Sequence, residues 1–157
     1  MLEVKKSAKT PAERRKGASR VISNAISHAL GVKLVSVGRK QLRAEMRVRP
    51  LHMNNAGRVN GGVLMAYGDV VGAAATVANL KPGERTSTLE SKTNFFAAGM
   101  GPVMKATAEL LHAGRTTMVW QTTIRNSGDN SRVAIVTQTQ IRLPANMAKA
   151  AAPARSK

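Results

Sequence analysis

Asp69 is the lone charge between Asn60 and Leu80. That stretch reads as one long helix. A helix facing solvent is normally studded with Lys, Glu, Arg and Gln. A single carboxylate in a helix without other charges is instead expected in a packed or half-buried setting. There it needs hydrogen-bond partners, and it is a candidate general base or nucleophile. Nine residues earlier, Asn60 carries a side-chain oxygen able to cap the first helical turn. Gly61 and Gly62 follow it without side chains, so another group can approach their backbone closely. No Ser-His-Asp order, phosphate-cradling glycine loop or metal-ligand cluster accompanies these residues. The three His, at positions 28, 52 and 112, lack metal-ligand spacing, and there is no Cys to supply a disulfide, a thiolate or a zinc ligand. Neither a metal nor another cofactor is expected.

The rest of the chain must position that helix. At 3.6 residues per turn, Val63, Tyr67, Val70, Val71, Ala74, Val77 and Ala78 share one broad apolar face. Asp69 is expected on the far side with Met65, Gly72 and Thr76, a small or polar surface. Upstream, a helix is predicted over Ala18 to Leu30, stopped by Gly31. A short strand over Val32 to Val37 follows. A half-buried strand over Gln41 to Arg49 turns Leu42, Ala44, Met46 and Val48 to one side. Pro50 ends it, and a loop from Leu51 to Val59 leads into the central helix. Downstream, four strands are predicted over Arg85 to Phe96, Val103 to His112, Thr117 to Arg125 and Arg132 to Leu143. Tight turns at Gly114-Arg115 and at Ser127 to Asn130 imply antiparallel pairing. One long helix with a broad apolar face needs a sheet to cover it. The expected class is therefore α+β, a curved antiparallel sheet wrapped around one long central helix. Residues 1–17 read as a basic N-terminal arm, 18–144 as a single domain and 145–157 as an Ala-rich tail.

Lys and Arg outnumber Asp and Glu by 25 to 8, a formal net charge of +17. Such a field favours anionic ligands and raises their encounter rate. Much of the excess crowds the two ends. Aromatic residues make up 3% of the chain and do not interleave with the basic ones, so base stacking has little to work with. No specific nucleic-acid partner is expected. No continuous apolar run spans a bilayer and no secretory leader is visible, so no membrane partner and a cytoplasmic location are expected.

The pattern Asn54-x-x-Gly57-x-x-Asn60-Gly61-Gly62, with Asp69 beyond it, resembles the hot-dog-fold thioesterases. More narrowly, it resembles the phenylacetate-degradation (PaaI-like) acyl-CoA thioesterase family. The likeness spans about Val32 to Leu143 and includes the Phe95-Phe96-Ala97-Ala98-Gly99 segment and the Leu110 to Arg115 hairpin. It implies hydrolysis of acyl-CoA thioesters to free acid and CoA. Asp69 matches the catalytic acid, acting as base on water or attacking the thioester. Gly62, in the first helical turn, matches the oxyanion donor. Asn54 matches a position that holds the water or the substrate carbonyl, and Ser87 one that positions water in some members. Gly61 adjoins the substrate, and Arg115 and Arg58 are candidates for the CoA phosphates. The resemblance further implies a homodimer, or a dimer-of-dimers tetramer, with Asp69 of one subunit facing Gly62 of the other. Where the family usually has His, this chain has Asn60. Asn can still donate a hydrogen bond but cannot take a proton near neutral pH. The alternative reading is therefore a non-catalytic acyl-CoA-binding protein of the same fold. His52 is expected to be a structural loop residue, and Trp120 and Phe95 are expected in the core.

Overall fold

A computed structural model describes residues 9–145. Helix α1 (Pro11–Ile22) and the short helix α2 (Ala25–Leu30) precede strands β1 (Val32–Val37) and β2 (Gln41–Arg47). A 3-10 turn (Pro50–His52) and a loop lead to the central helix α3 (Gly61–Asn79). Strands β3 (Arg85–Phe95), β4 (Val103–Ala113), β5 (Thr117–Asn126) and β6 (Arg132–Leu143) complete the chain. The six strands form one sheet in the order β1-β2-β4-β5-β6-β3, antiparallel throughout. The sheet curves around α3 without closing, so β3 is left as a free edge. This is the α+β, hot-dog arrangement expected from the pattern.

The apolar alternation on β2, β4 and β5 identifies the helix-facing side. Leu42, Ala44, Met46, Met104, Ala106, Ala108, Met118, Trp120 and Ile124 are all buried there, with Tyr67 of α3 at their centre. The Tyr67 hydroxyl keeps a partner by donating to Met104 O at 3.2 Å, which offsets the cost of burying it. Trp120 is fully enclosed, as expected.

Strand β6 turns a partly polar side to the helix. Its most apolar alternation, through Ile135 and Ile141, lies on the outer, half-exposed side. Val136, Gln138 and Gln140 face the helix and are buried. The helix is correspondingly buried on two sides. Gly72 and Thr76, expected on the small or polar side of the helix with Asp69, are buried. The reason is close approach. A Cβ on Gly68 would run into Val136, and one on Gly72 into the Gln138 side chain. Without side chains at these positions, α3 sits directly on β6.

The N-terminal helix also differs. It begins at Pro11, inside the stretch expected to be an arm. Thr10 and Glu13 form a reciprocal capping box, with Pro11 at the first helical position. The helix stops at Ser23, and Asn24 caps α2 by accepting from the Ser27 amide. Buried Gly17 and Ala18 bring α1 against α3: a Cβ at Gly17 would lie 3.1 Å from Val77 O. The remainder of the arm, 1–8, and the tail beyond 145 lie outside the described residues.

α3 is long and apolar enough to cross a bilayer by length and composition. It is nonetheless the core helix of this fold, covered by the sheet.

Candidate active site

Asp69 projects from the middle of α3 toward strands β3 and β6, half-buried. Thr88 Oγ1 donates to its Oδ1 at 3.2 Å, and Gln138 Nε2 donates to the same oxygen. The direction of the Thr88 proton is fixed from behind: Gln140 Nε2 donates to Thr88 Oγ1 at 2.8 Å, so the hydroxyl must send its own hydrogen elsewhere. Gln140 is itself held by Thr86, whose hydroxyl lies 2.8 Å from Gln140 Oε1. Two threonines and two glutamines thus form a polar relay that anchors one carboxylate oxygen. Among the described residues no donor reaches Oδ2. A carboxylate so arranged is oriented and charge-stabilised on one oxygen, and the other can accept a proton or attack an electrophile.

None of these four residues belongs to a recognised motif. Thr86 and Thr88 share the helix-facing side of β3, so the intervening Ser87 points to the opposite face, paired with Ile141. It is Thr88, not Ser87, that reaches Asp69. The signal for Gln138 and Gln140 was present in Gln138-Thr139-Gln140: amides alternating through a strand whose inner side should be apolar. A buried amide needs a partner, and the partner is the lone acid.

The glycine pair lies at the other end of the local geometry. Asn60 is the N-cap of α3, and its Oδ1 accepts from the Gly62 amide at 2.8 Å. The candidate oxyanion donor is therefore satisfied by its neighbour in the free protein. Gly61 is half-buried beneath the Phe95 ring; a Cβ there would lie 3.4 Å from Phe95 Cζ. Phe95 is 51% exposed, so it is not the core residue expected: it sits on the edge strand, paired with Ala134, with its ring over the start of α3. Asn54 spends its Oδ1 on the loop, accepting from the Ala56 amide at 3.0 Å and the Arg58 amide at 3.1 Å. Gly57, at φ 68°, closes that turn.

The sequence profile of the thioesterase superfamily matches residues 56–132. A putative esterase from Mycobacterium tuberculosis is 32% identical over 117 residues, covering 73% of this chain and 81% of the relative. The chain belongs to the thioesterase superfamily. It is also similar to the 1,4-dihydroxy-2-naphthoyl-CoA hydrolase of Listeria monocytogenes, 25% identical over 96 residues, or 61% of this chain and 78% of that one. Among solved structures, the Escherichia coli PaaI protein from the phenylacetic acid degradation operon matches with a TM-score of 0.77 at 22% identity. That match covers 86% of this chain and 96% of the other, and it carries the fold.

In this thioesterase the remaining candidates separate in space. Arg58 is exposed, with Nη1 at 2.7 Å from Met100 Sδ, close to the α3 N-terminus. Arg115 is exposed on the β4–β5 turn, beside Gly114, whose carbonyl accepts from Arg142 near the other end of α3. Within one chain the two arginines flank opposite ends of the helix. His52 is fully buried. Its Nδ1 accepts from the Arg49 amide at 3.1 Å, and its carbonyl accepts from the Asn60 amide at 2.8 Å. Burial holds its pKa below the ordinary histidine value, outweighing an opposing hydrogen-bond effect from Ala29; the nearby Arg49 charge adds a smaller push in the direction of burial. The thioesterase thus uses His52 to fix the loop that delivers Asn60 to the helix.

Proposed function

We propose that the protein hydrolyses acyl-CoA thioesters, with Asp69 as the catalytic carboxylate. The observation that carries this reading is the one-sided anchoring of Asp69, with Oδ1 held by Thr88 and Gln138 and Oδ2 left for water or the thioester carbon. As a general base, Asp69 takes a proton from water while the hydroxide attacks the carbonyl. As a nucleophile, it attacks the thioester carbon and expels the CoA thiolate, which is protonated from solvent, leaving a transient anhydride that water then opens. Either route builds negative charge on the carbonyl oxygen. The amides at the start of α3, Gly62 foremost, receive it at the positive end of the helix dipole once Asn60 Oδ1 gives up the Gly62 N–H.

Gly62 and Asp69 of one chain are separated by two helical turns, ~10 Å along the axis at ~1.5 Å per residue. They cannot flank a single carbonyl. The reading therefore requires a second copy, its Gly62 set against this Asp69, giving a homodimer or a tetramer built from two dimers. The exposed β3 edge lies beside Asp69 and supports that placement. Asn60 and Asn54 then border the thioester, with Gly61 beneath it, and Arg58 and Arg115 are the candidates for the CoA phosphates. Ser87, on the outer face of β3, enters the reading only as a second-rank water-positioning candidate.

The deciding experiment is thiol release from a panel of short, long and aryl acyl-CoAs by wild type and Asp69→Asn. We expect the variant to lose ~100-fold or more in kcat. Equal rates would remove Asp69 from the mechanism. One observation favours a second reading, a non-catalytic acyl-CoA binder: the Gly62 amide already has Asn60 as partner. Tight binding across the panel without turnover would establish that reading instead.

A further inference from the structure

At the end of α3 remote from the glycine pair, a cavity of about 700 Å³ opens between α1, the β1–β2 turn and the ends of β3 and β6. Its wall holds five cations, Lys9, Arg14, Arg39, Lys81 and Arg142, and a single carboxylate, Glu84. The carboxylate is already committed. Arg142 Nη2 pairs with it at 2.9 Å, and the Lys81 amide donates to it at 2.7 Å. Burial disfavours the Glu84 charge, but these hydrogen bonds and the Arg142 charge outweigh that and hold its pKa below the usual carboxylate value. No second ion pair occurs among the described residues.

The C-terminus of α3 accounts for one cation only. Lys9 Nζ donates to Val77 O at 3.3 Å, a favourable place for a positive charge at the end of a helix. Arg142 has Glu84; Arg14, Arg39 and Lys81 are in no ion pair among the described residues. Arg14 Nη1 donates to Lys9 O and Arg142 Nη1 to Gly114 O, but the Nε atoms of both are buried with no hydrogen-bond acceptor. Burial lowers the Lys9 pKa; attraction to Glu13 opposes this, and repulsion from Arg14 and Arg20 adds to it. In composition, residues 1–8 and 146–157 add Lys5, Lys6, Lys149, Arg155 and Lys157 and one acid, Glu3. Five cations around a single committed carboxylate, with Lys9, Arg14 and Arg142 partly withdrawn from water, leave an excess positive charge that a bound anion would offset.

We propose that this cavity binds a phosphate-bearing nucleotide anion carrying two or more charges. The volume is ample for such a ligand, and the guanidinium groups of Arg14, Arg39 and Arg142 suit phosphate oxygens. The site is separate from the reacting carboxylate: Asn79, on its wall, lies ten positions beyond Asp69, ~15 Å along the helix. The anion has two possible sources, a free nucleotide or the nucleotide end of an acyl-CoA. The second source rests on the thioesterase reading above; the first does not.

The test is calorimetric titration of the full chain with adenosine 3′,5′-bisphosphate at ~150 mM salt, where diffuse attraction is screened beyond ~8 Å. The comparison is between the double reversal Arg39→Glu/Lys81→Glu and a control of equal charge change, Arg43→Glu/Arg47→Glu, on the exposed outer side of β2. Saturable binding at one site per chain, weakened about tenfold or more in the cavity variant and less than threefold in the control, is the expected result. No saturable binding, or equal losses in the two variants, would overturn the proposal and leave only the net charge. KM measured with an acyl-CoA and with the matching acyl-pantetheine separates the sources. A rise confined to the acyl-CoA in the cavity variant assigns the site to substrate. An unchanged KM alongside lost bisphosphate binding assigns it to a free nucleotide. Absence of turnover would sink the thioesterase reading without touching the titration.

Discussion

The sheet presents two different surfaces to the same helix. Strands β2, β4 and β5 offer α3 a buried wall that is apolar except at Thr122: Leu42, Met46, Met104, Met118, Trp120 and Ile124. Strands β3 and β6 offer it Thr86, Thr88, Gln138 and Gln140, interrupted only by aliphatic contacts such as Val136. The first wall is what a core helix needs for stability, since burying each large apolar side chain contributes ~1.5–3 kcal/mol. The second is weaker as a core, because each buried amide must recover the hydration it gave up. What it gains is an oriented carboxylate. Stability and chemistry are thus assigned to opposite sides of one helix, and each side can be damaged separately.

The largest effect should come from the apolar wall. Trp120→Ala leaves a cavity in the fully enclosed core and should cost ~3–5 kcal/mol of stability, read as a lowered denaturant midpoint; activity per folded molecule should fall far less. On the polar wall the order reverses. Asp69→Asn should abolish most turnover, as set out above, while shifting the denaturant midpoint little. Thr88→Val keeps the shape of the strand but deletes the hydroxyl on Oδ1. We expect kcat to fall ~10-fold, the loss of one charge-assisted hydrogen bond worth ~1.5 kcal/mol. Ser87→Ala, measured beside it, should lose distinctly less. A larger loss at Ser87 than at Thr88 would reverse the assignment made from the strand register.

The pH dependence sharpens the comparison from a third position. The folded protein disfavours charged His52, so its contribution to stability is complete above the ordinary histidine value of ~6.5. It is lost progressively as pH falls below that, toward the lowered folded pKa. Thermal midpoints should therefore drop between pH 7 and pH 5, and His52→Gln should flatten that slope. The smallest expected effect is at the N-terminus: Thr10→Ala removes half the capping box of α1, ~1 kcal/mol, without a change in kcat.

The apolar wall was legible in the sequence because alternation on β2, β4 and β5 reports burial directly. The central helix was legible for a related reason: Asn60 caps it, and its length leaves no other reading. The polar wall was not. Alternation on β6 points Ile135 and Ile141 outward and hides Gln138 and Gln140 inside, and no local rule says that a strand will turn amides to the core. That choice depends on Asp69, sixty-nine residues away in sequence from Gln138. The α1 start was written in Thr10-Pro11-Ala12-Glu13, but the surrounding basic residues give that segment the composition of a mobile arm. Asn60 was readable as a cap, yet only the geometry reveals that capping occupies the Gly62 amide itself.

The absence of side chains at Gly68 and Gly72 has a consequence for how this protein can change. Those two positions set the gap between α3 and β6, and therefore the depth at which the acid meets its amide donor. A single added methyl would act as a shim, lifting the carboxylate away from the strand. Variation there should register first as slower turnover, before any loss of the fold, which makes the helix–strand spacing a calibrating dimension of the enzyme.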